Sequence, residues 1–237
     1  MRLRPAEIYR RTRKSPDLFW NWAVCRPIAA LVLSGIHTTR VTPNQITLLS
    51  AGVAFGAAAL LASAPGYVGL VAGALVLEAS YVLDCADGML ARLRGIASDG
   101  GHLLDFLMDE IKAFVVLAAV SLRLYREHHD ADLLALGLLG LVALATGTAL
   151  TTFLRRPEIA RPSTTPSAAE RAHGIVAIAE RVAKGIIHYP SYIWLAALFG
   201  RIELYFYPYI AVNALYAARA FATVAFRFAG ASSAPKP

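Results

Sequence analysis

The sequence predicts an all-α integral membrane protein, and three observations indicate this class. Apolar residues make up 57% of the 237 residues and charged residues only 16%, which is less charge than soluble domains usually carry. The mean hydropathy is +0.52. The apolar residues are also gathered in long runs, of about the 20 residues that a helix needs to cross a bilayer. We therefore read the chain as a series of membrane helices.

Six apolar segments are predicted to span the membrane as helices. The fifth is shorter than a spanning helix requires, so we expect it to begin earlier, near Ile175. The segments comprise residues 46–64, 67–90, 103–124, 132–154, 188–200 and 202–226.

Residues 16–35, ahead of the first segment, differ from the spans. This stretch is apolar on one side, rich in Trp and Phe, and interrupted by Pro27. The pattern is typical of an amphipathic helix that lies in the membrane interface, and a seventh span is the alternative. We therefore predict a basic N-terminus with an interfacial helix over 1–40, a six-helix transmembrane domain over 41–228 and a disordered tail over 229–237.

The lysines and arginines indicate the orientation of the chain. If six spans alternate, nineteen of the 23 basic residues lie on one side and three on the other, while Lys112 lies within the third segment. Because positive residues collect on the cytoplasmic side, both termini are predicted to be cytoplasmic, in the inner membrane of a prokaryotic cell. Most of the net charge of +7 then faces lipid headgroups, so nucleic acid is not an expected partner.

Four aspartates lie near the cytoplasmic ends of segments two and three, where a charged side chain is costly and is therefore a functional candidate. Asp84 and Asp87 are three residues apart, and Asp105 and Asp109 are four apart, so each pair shares a helical face. The loop between the segments is short, which makes the helices antiparallel neighbours and lets the two pairs face each other. Cations relieve the repulsion, and oxygen ligands favour Mg²⁺ or Mn²⁺. Two ions suit four carboxylates and an in-line displacement at phosphorus.

Glycines and arginines surround the four aspartates. Gly88 follows the second aspartate, and Gly95 and Gly101 lie in the following turn and helix. Small residues allow helices to pack closely and also allow a phosphate to approach the backbone. A purely structural alternative is that the aspartates pair with Arg92 and Arg94 and only support helix packing.

The same residues form the ordered pattern D-x2-D-G-x2-A-R-x8-G-x3-D-x3-D, which runs from Asp84 to Asp109. It resembles the signature of the CDP-alcohol phosphotransferase family at every fixed position. Residues 41–50, VTPNQITLLS, resemble the family's segment before its first span. The resemblance implies a membrane enzyme of phospholipid biosynthesis. Such an enzyme transfers a substituted phosphoryl group, usually phosphatidyl, from a CDP-linked donor such as CDP-diacylglycerol to an acceptor alcohol and releases CMP.

The resemblance also implies roles for individual residues. In such enzymes the first three motif aspartates hold two divalent ions, and the fourth contacts metal and is the general base. Carried over, Asp84, Asp87 and Asp105 are metal ligands, and Asp109 is both ligand and catalytic base. Family members commonly form dimers, so a homodimer is expected. The positions that match the family's CDP contacts are Asn44, Thr47, Gly88, Arg92 and Ser98.

Basic residues after the fourth span bear on the identity of the acceptor. Arg155 and Arg156 end this span, and Arg161 follows. We predict that they bind a phosphorylated acceptor such as inositol phosphate or glycerol phosphate. Alternatively they only contact lipid phosphates, which leaves a neutral acceptor or a soluble CDP-alcohol open. His188 is interpreted as an acceptor contact or an interfacial anchor, and His102 as a neighbour of the metal site.

Two other functional classes compete with this reading. A transporter that uses buried carboxylates predicts acidic residues near the bilayer midplane and broken helices, whereas the acidic residues here cluster at one membrane face. A non-catalytic membrane scaffold would tolerate the loss of a motif residue, and every fixed position is filled.

Overall fold

A computed structural model describes residues 3–14, 17–156, 159 and 182–229. All regular elements in this part of the chain are helical, which confirms the predicted all-α class. In chain order the α-helices named here are α1 Pro5–Thr12, α2 Arg26–Ile36, α3 Pro43–Ser63, α4 Gly66–Arg94, α5 Asp99–His128, α6 Ala131–Leu154, α7 Ile193–Leu198 and α8 Glu203–Ala229.

Four of these helices, α3, α4, α6 and α8, are long and apolar enough to cross a membrane. Helix α5 is longer, with 30 residues, but it carries eight charged side chains. The predicted fifth segment contains a 3₁₀ turn over Tyr189–Ser191, followed by the six residues of α7. Residues 182–187 before this turn are helical, and the expected start near Ile175 lies outside the described residues. The count of six spans therefore stays a prediction.

The helices pack around two groups of buried apolar side chains. Helix α3 lies against α4 and α5, while α6 packs against α5 and α8. Alanines of α3, including Ala54, Ala57 and Ala58, lie in the larger core, where their small side chains allow neighbouring helices to approach closely. A second core joins Ile8 of α1 and Leu33 of α2 to the end of α4. The N-terminal region is thus anchored beside the aspartate motif.

Residues 19–36 form one continuous helix, and Pro27 lies within it without ending it. Its backbone forms a π turn over Asn21–Cys25, and Pro27 stands in the first turn of α2 directly afterwards. A proline ring normally meets the carbonyl four residues earlier, and the wider π turn relieves that clash.

This N-terminal helix has one buried face and one exposed apolar face. Ala29 and Leu33 are fully buried, whereas Phe19 is 74% exposed and Leu31 is 62% exposed. The exposed face gives the segment an outward-facing apolar surface in addition to the one that packs on α1 and α4.

Arg123 of α5 holds the turn that joins α3 to α4. Its Nη1 atom donates to the carbonyls of Leu61 at 3.2 Å and Ala64 at 2.9 Å, and its Nη2 atom donates to the carbonyl of Gly66 at 2.6 Å. It also pairs with Glu127 at 2.6 Å. The last carbonyls of a helix lack partners within that helix, so Arg123 satisfies part of the end of α3, and Arg126 donates to the Ala62 carbonyl at 2.7 Å.

The opposite end of α4 leads into the motif turn. Gly95 follows the last helical residue with φ +66°, a left-handed conformation that favours glycine. Arg94 donates to the carbonyls of His37 at 3.0 Å, Thr39 at 2.9 Å and Val41 at 2.5 Å. These bonds fasten the segment between α2 and α3 beside the start of α5, which brings residues 41–50 next to the aspartate motif.

Candidate active site

The start of α3 is built by a reciprocal capping box. The amide of Gln45 donates to Thr42 Oγ1 at 3.3 Å, and the amide of Thr42 donates to Gln45 Oε1 at 3.0 Å. Pro43 occupies the first turn, where its missing N–H costs nothing. One turn later the Thr47 hydroxyl donates to Asp87 Oδ2 at 2.5 Å. The local sequence thus fixes α3 against the second aspartate.

Three of the four motif aspartates meet at one point between α4 and α5. Asp84, Asp105 and Asp109 each offer a carboxylate oxygen, and these three atoms lie within 4.8 Å of one another. Asp87 is one helical turn from Asp84 and faces Thr47 instead. We call the three converging carboxylates the aspartate cluster.

The aspartate cluster has the donor chemistry of a site for a hard divalent cation. All of its ligand atoms are carboxylate oxygens, the ligands that Mg²⁺ and Mn²⁺ prefer. Asp105 Oδ1 is buried without a hydrogen-bond donor in the described part of the chain. A buried carboxylate oxygen is costly unless it is paired or coordinates a metal, so the residues present fit a metal centre.

Lys112 joins this cluster, although the sequence analysis gave it no role. Its ammonium contacts Asp84 Oδ1 and lies 2.8 Å from Asp109 Oδ1. The side chain is buried. The available signal was the spacing, since Lys112 stands three residues after Asp109 in the third apolar segment of the sequence and therefore on the same helical face.

A cavity of about 380 Å³ lies on one side of the aspartate cluster. Asp87 and Asp105 contribute to its wall, together with His102, which the sequence placed near the metal site, and Lys14, which it did not. The wall also includes every residue that matched a CDP contact of the family: Asn44, Thr47, Gly88, Arg92 and Ser98. We call this space the small cavity.

Close packing shapes the small cavity. A Cβ atom on Gly88 would lie 3.3 Å from Arg92 Nη1, so the glycine leaves room for the guanidinium. A Cβ atom on Gly101 would lie 3.2 Å from Ser98 Oγ and 3.4 Å from Asn44 Oδ1. Ser98 caps α5 by accepting a hydrogen bond from the Gly101 amide at 3.1 Å. The motif glycines therefore hold three elements close together around the cavity.

A second cavity, of about 560 Å³, adjoins the cluster at Asp109 and is called the large cavity. Asp109 and Lys112 line it, together with Arg155 at the end of α6 and Lys184. The Cζ atom of Arg155 lies 5.6 Å from the centroid of the Phe106 ring. Among the other predicted acceptor contacts, Arg156 is not part of this wall, and Arg161 lies outside the described residues.

Two hydrogen-bonded groups give the large cavity further polar surface. The Tyr81 hydroxyl donates to Asn21 Oδ1 at 2.6 Å and lies 2.5 Å from His188 Nε2. Across the cavity wall, Thr148 Oγ1 donates to Glu110 Oε2 at 2.5 Å. Both groups join residues far apart in the chain, so no local spacing in the sequence indicated them.

Comparison with known proteins gives the relationship of the chain. A family model described as CDP-alcohol phosphatidyltransferase matches residues 40–201, which include all four motif aspartates and more than half of the chain. The chain belongs to the CDP-alcohol phosphatidyltransferase family. The resemblance seen in the sequence is thereby confirmed, and the divalent-metal use of the family agrees with the donor atoms of the aspartate cluster.

One curated relative has a more specific name than the family. The phosphatidylinositol phosphate synthase of Corynebacterium glutamicum is 34% identical to this chain over 99 residues. The match covers 41% of this chain and 42% of the relative, so the chain spans less than half the length of the relative.

Proposed function

We propose that the chain is a membrane phosphatidyltransferase of phospholipid biosynthesis. It transfers the phosphatidyl group of a CDP-linked lipid such as CDP-diacylglycerol to a hydroxyl of a phosphorylated alcohol and releases CMP. The observation that carries this proposal is the position of the aspartate cluster, which contributes Asp105 to the wall of one cavity and Asp109 to the wall of another. One is lined by all five residues that match CDP contacts, and the other is lined by Asp109 and Arg155.

The small cavity is the proposed binding site for the CDP part of the donor. Arg92 and Lys14 line it and supply positive charge for the diphosphate, because a guanidinium can form two parallel hydrogen bonds to phosphate. Asn44, Thr47 and Ser98 offer polar groups beside them. Gly88 lets the nucleotide approach the backbone of α4.

Asp109 is the proposed general base. It lies at the junction of the cluster and the large cavity, so its carboxylate can take the proton from an acceptor hydroxyl. The hydroxyl oxygen then bonds to the phosphorus that carries the lipid, the bond from this phosphorus to the bridging oxygen breaks, and CMP leaves with that oxygen. Positioning of the two substrates compensates for the weak basicity of a carboxylate.

The proposed metal ligands are Asp84, Asp87, Asp105 and Asp109, which would hold two ions of Mg²⁺ or Mn²⁺. When bound, the ions would neutralise the diphosphate and the charge that develops on CMP. The protein's own part is to present carboxylate oxygens from two helices. The Thr47 hydroxyl, which donates to Asp87 at 2.5 Å, fixes the orientation of that ligand.

A phosphorylated acceptor is favoured by the cations of the large cavity. Arg155 and Lys184 both line it, and the name of the corynebacterial relative is that of an enzyme that synthesises phosphatidylinositol phosphate. Inositol phosphate is therefore the first candidate, ahead of glycerol phosphate. One observation favours a neutral acceptor instead, because Glu110 lines the same cavity with a carboxylate that attracts hydroxyl donors and repels phosphate.

We also propose how the chain sits in the membrane. Six spans would place both termini and the active site on the cytoplasmic side of a prokaryotic inner membrane, as the distribution of basic residues favours. The helix over 19–36 would lie in the interface, which its exposed Phe19 and Leu31 support. The catalytic domain would comprise 41–228, and two copies would form a homodimer.

An acceptor panel tests the reaction directly. Protein purified in detergent is incubated with labelled CDP-diacylglycerol, Mg²⁺ and one acceptor at a time: inositol phosphate, glycerol phosphate, inositol or serine. We expect CMP release coupled to labelled product with a phosphorylated acceptor, and none with Asp105→Asn. Faster product formation with inositol or serine than with the phosphorylated acceptors would indicate that the acceptor is neutral. Failure to release CMP with any of the four would refute the proposed transfer.

Cysteine labelling tests the orientation. Asp132→Cys is placed at the exposed start of α6 in a chain whose two native cysteines have been replaced. A membrane-impermeant thiol reagent should label it in intact cells without lysis. Labelling only after lysis would show that the orientation is opposite to the proposed one.

A further inference from the structure

Lys112 makes buried contacts that have no role in the reaction proposed above. Its ammonium contacts Asp84 Oδ1, lies 2.8 Å from Asp109 Oδ1 and lies 3.4 Å from Ser50 Oγ. An ammonium has three N–H donors and no acceptor, so all three donors have partners here. The partners come from α3, α4 and α5. Lys112 therefore connects these three helices next to the cluster.

Ser50 is itself held in place by Ser80 of α4. Ser50 Oγ donates to the Ser80 carbonyl at 3.0 Å, and Ser80 Oγ donates to the Ser50 carbonyl at 2.8 Å. Both serines are fully buried. This reciprocal pair fixes α3 against α4 and limits where the ammonium can move, so Lys112 stays against Asp84 and Asp109.

Arg123 shows what a buried cation of α5 does when its role is structural. Its guanidinium contacts three backbone carbonyls and one carboxylate, that of Glu127, at the far end of the helix. Lys112 instead contacts two of the three carboxylates in the aspartate cluster. The same helix thus carries one cation that closes a turn and another that belongs to the site.

We propose that Lys112 is a positioning residue of the aspartate cluster, with two effects. It holds Asp84 and Asp109 at a fixed separation, and its positive charge weakens the attraction of the cluster for divalent cations. The proposal deepens the proposed function, because it rests on the cluster being the metal site. Lys112 would keep metal binding weaker than the unopposed carboxylates of the cluster would make it, and would in exchange orient the carboxylate that takes the acceptor's proton.

The test compares Lys112→Met with Lys112→Arg. Free Mn²⁺ is measured by electron paramagnetic resonance while the ion is titrated into detergent-solubilised protein without substrate. Removal of a positive charge in contact with two carboxylates should tighten Mn²⁺ binding by about tenfold or more in Lys112→Met. Turnover in the same variant should fall, since Asp109 is no longer held. Lys112→Arg should return Mn²⁺ affinity towards that of the unchanged protein.

Arg123→Met is the matched control, because it removes another buried cation from the same helix. It should lower the melting temperature and leave Mn²⁺ affinity unchanged. Mn²⁺ binding that is unchanged or weaker in Lys112→Met would overturn the charge effect. Unchanged turnover would overturn the positioning effect.

A folding defect does not obscure the result. Lys112→Met and Lys112→Gln are both purified in Mn²⁺, since a divalent cation can replace the lost charge, and both should fold there. If neither folds in Mn²⁺, Lys112 is needed for packing and the proposal is wrong. The Mn²⁺ titration uses no lipid or nucleotide, so its outcome is independent of whether the proposed phosphatidyl transfer is correct.

Discussion

The two cavities beside the aspartate cluster are built in different ways. The small cavity is lined by helix ends and the turn between α4 and α5, and ten of its residues, from Asp87 to Asp105, lie within nineteen positions of the sequence. The large cavity is lined by side chains of α4, α5, α6 and α8, by Leu18 and by residues between Lys184 and Pro190. No residue belongs to both walls. The difference indicates that a local motif can specify the small cavity, the proposed donor site, whereas the large cavity depends on packing between distant segments.

Removal of metal should have the largest effect, because the aspartate cluster adjoins both cavities. We expect turnover to be lost in EDTA and restored by Mg²⁺ or Mn²⁺, since clustered carboxylates repel one another without cations. CMP release is the measurement, with Ca²⁺ as an alternative ion for comparison. Full activity in excess chelator would show that the reaction needs no metal ion.

Asp109→Asn should have the second-largest effect and should distinguish the functions of the two cavities. Asp109 lines the large cavity and not the small one, so the loss of a general base should lower kcat by about 10²–10⁴-fold. A rise in the KM for the CDP-linked donor would report the additional loss of a metal ligand. Asp132→Asn, an exposed aspartate at the other end of the bundle, is the control. Near-normal kcat in Asp109→Asn would exclude the base role.

Arg155→Ala should have an intermediate effect confined to the acceptor. A lost hydrogen bond to a charged group costs roughly 1.5–3 kcal/mol, so the acceptor KM should rise about 10–150-fold while the donor KM stays constant. Arg156→Ala is the matched control, because the adjacent arginine is not part of the large cavity. Equal effects in the two variants would mean that general positive charge, rather than a defined contact, attracts the acceptor.

Gly88→Ala should have the smallest effect, and on the donor side only. The added Cβ would lie 3.3 Å from Arg92 Nη1 and should push the guanidinium aside, which raises the donor KM roughly fivefold, equivalent to a packing cost on the order of 1 kcal/mol. Gly100→Ala is the control, because its added Cβ would meet nothing within 4 Å. A changed acceptor KM with an unchanged donor KM would contradict the assignment of the small cavity.

The parts of the site that depend on the regular spacing of residues along a helix could be predicted from the sequence. Spacings of three and four residues place Asp84 with Asp87 and Asp105 with Asp109 on single faces. A short turn then makes their helices neighbours. The structure agrees for three of these carboxylates and turns Asp87 towards Thr47 of α3, a contact 40 positions away in the chain.

Contacts between remote segments could not be predicted from one sequence. Tyr81 meets His188 across 107 positions, and Lys112 meets Ser50 across 62. Periodicity assigns each residue to a face but does not say which helix covers that face.

The Arg123 guanidinium at the turn between α3 and α4 has a consequence for bilayer thickness. Its bonds to the carbonyls of Leu61, Ala64 and Gly66 supply what water would otherwise supply. A helix end with its own donors does not have to reach the hydrated headgroup layer. The α3–α4 pair should therefore tolerate a membrane thicker than its apolar length, whereas Arg123→Met should make activity fall as acyl chains of the host lipid are lengthened.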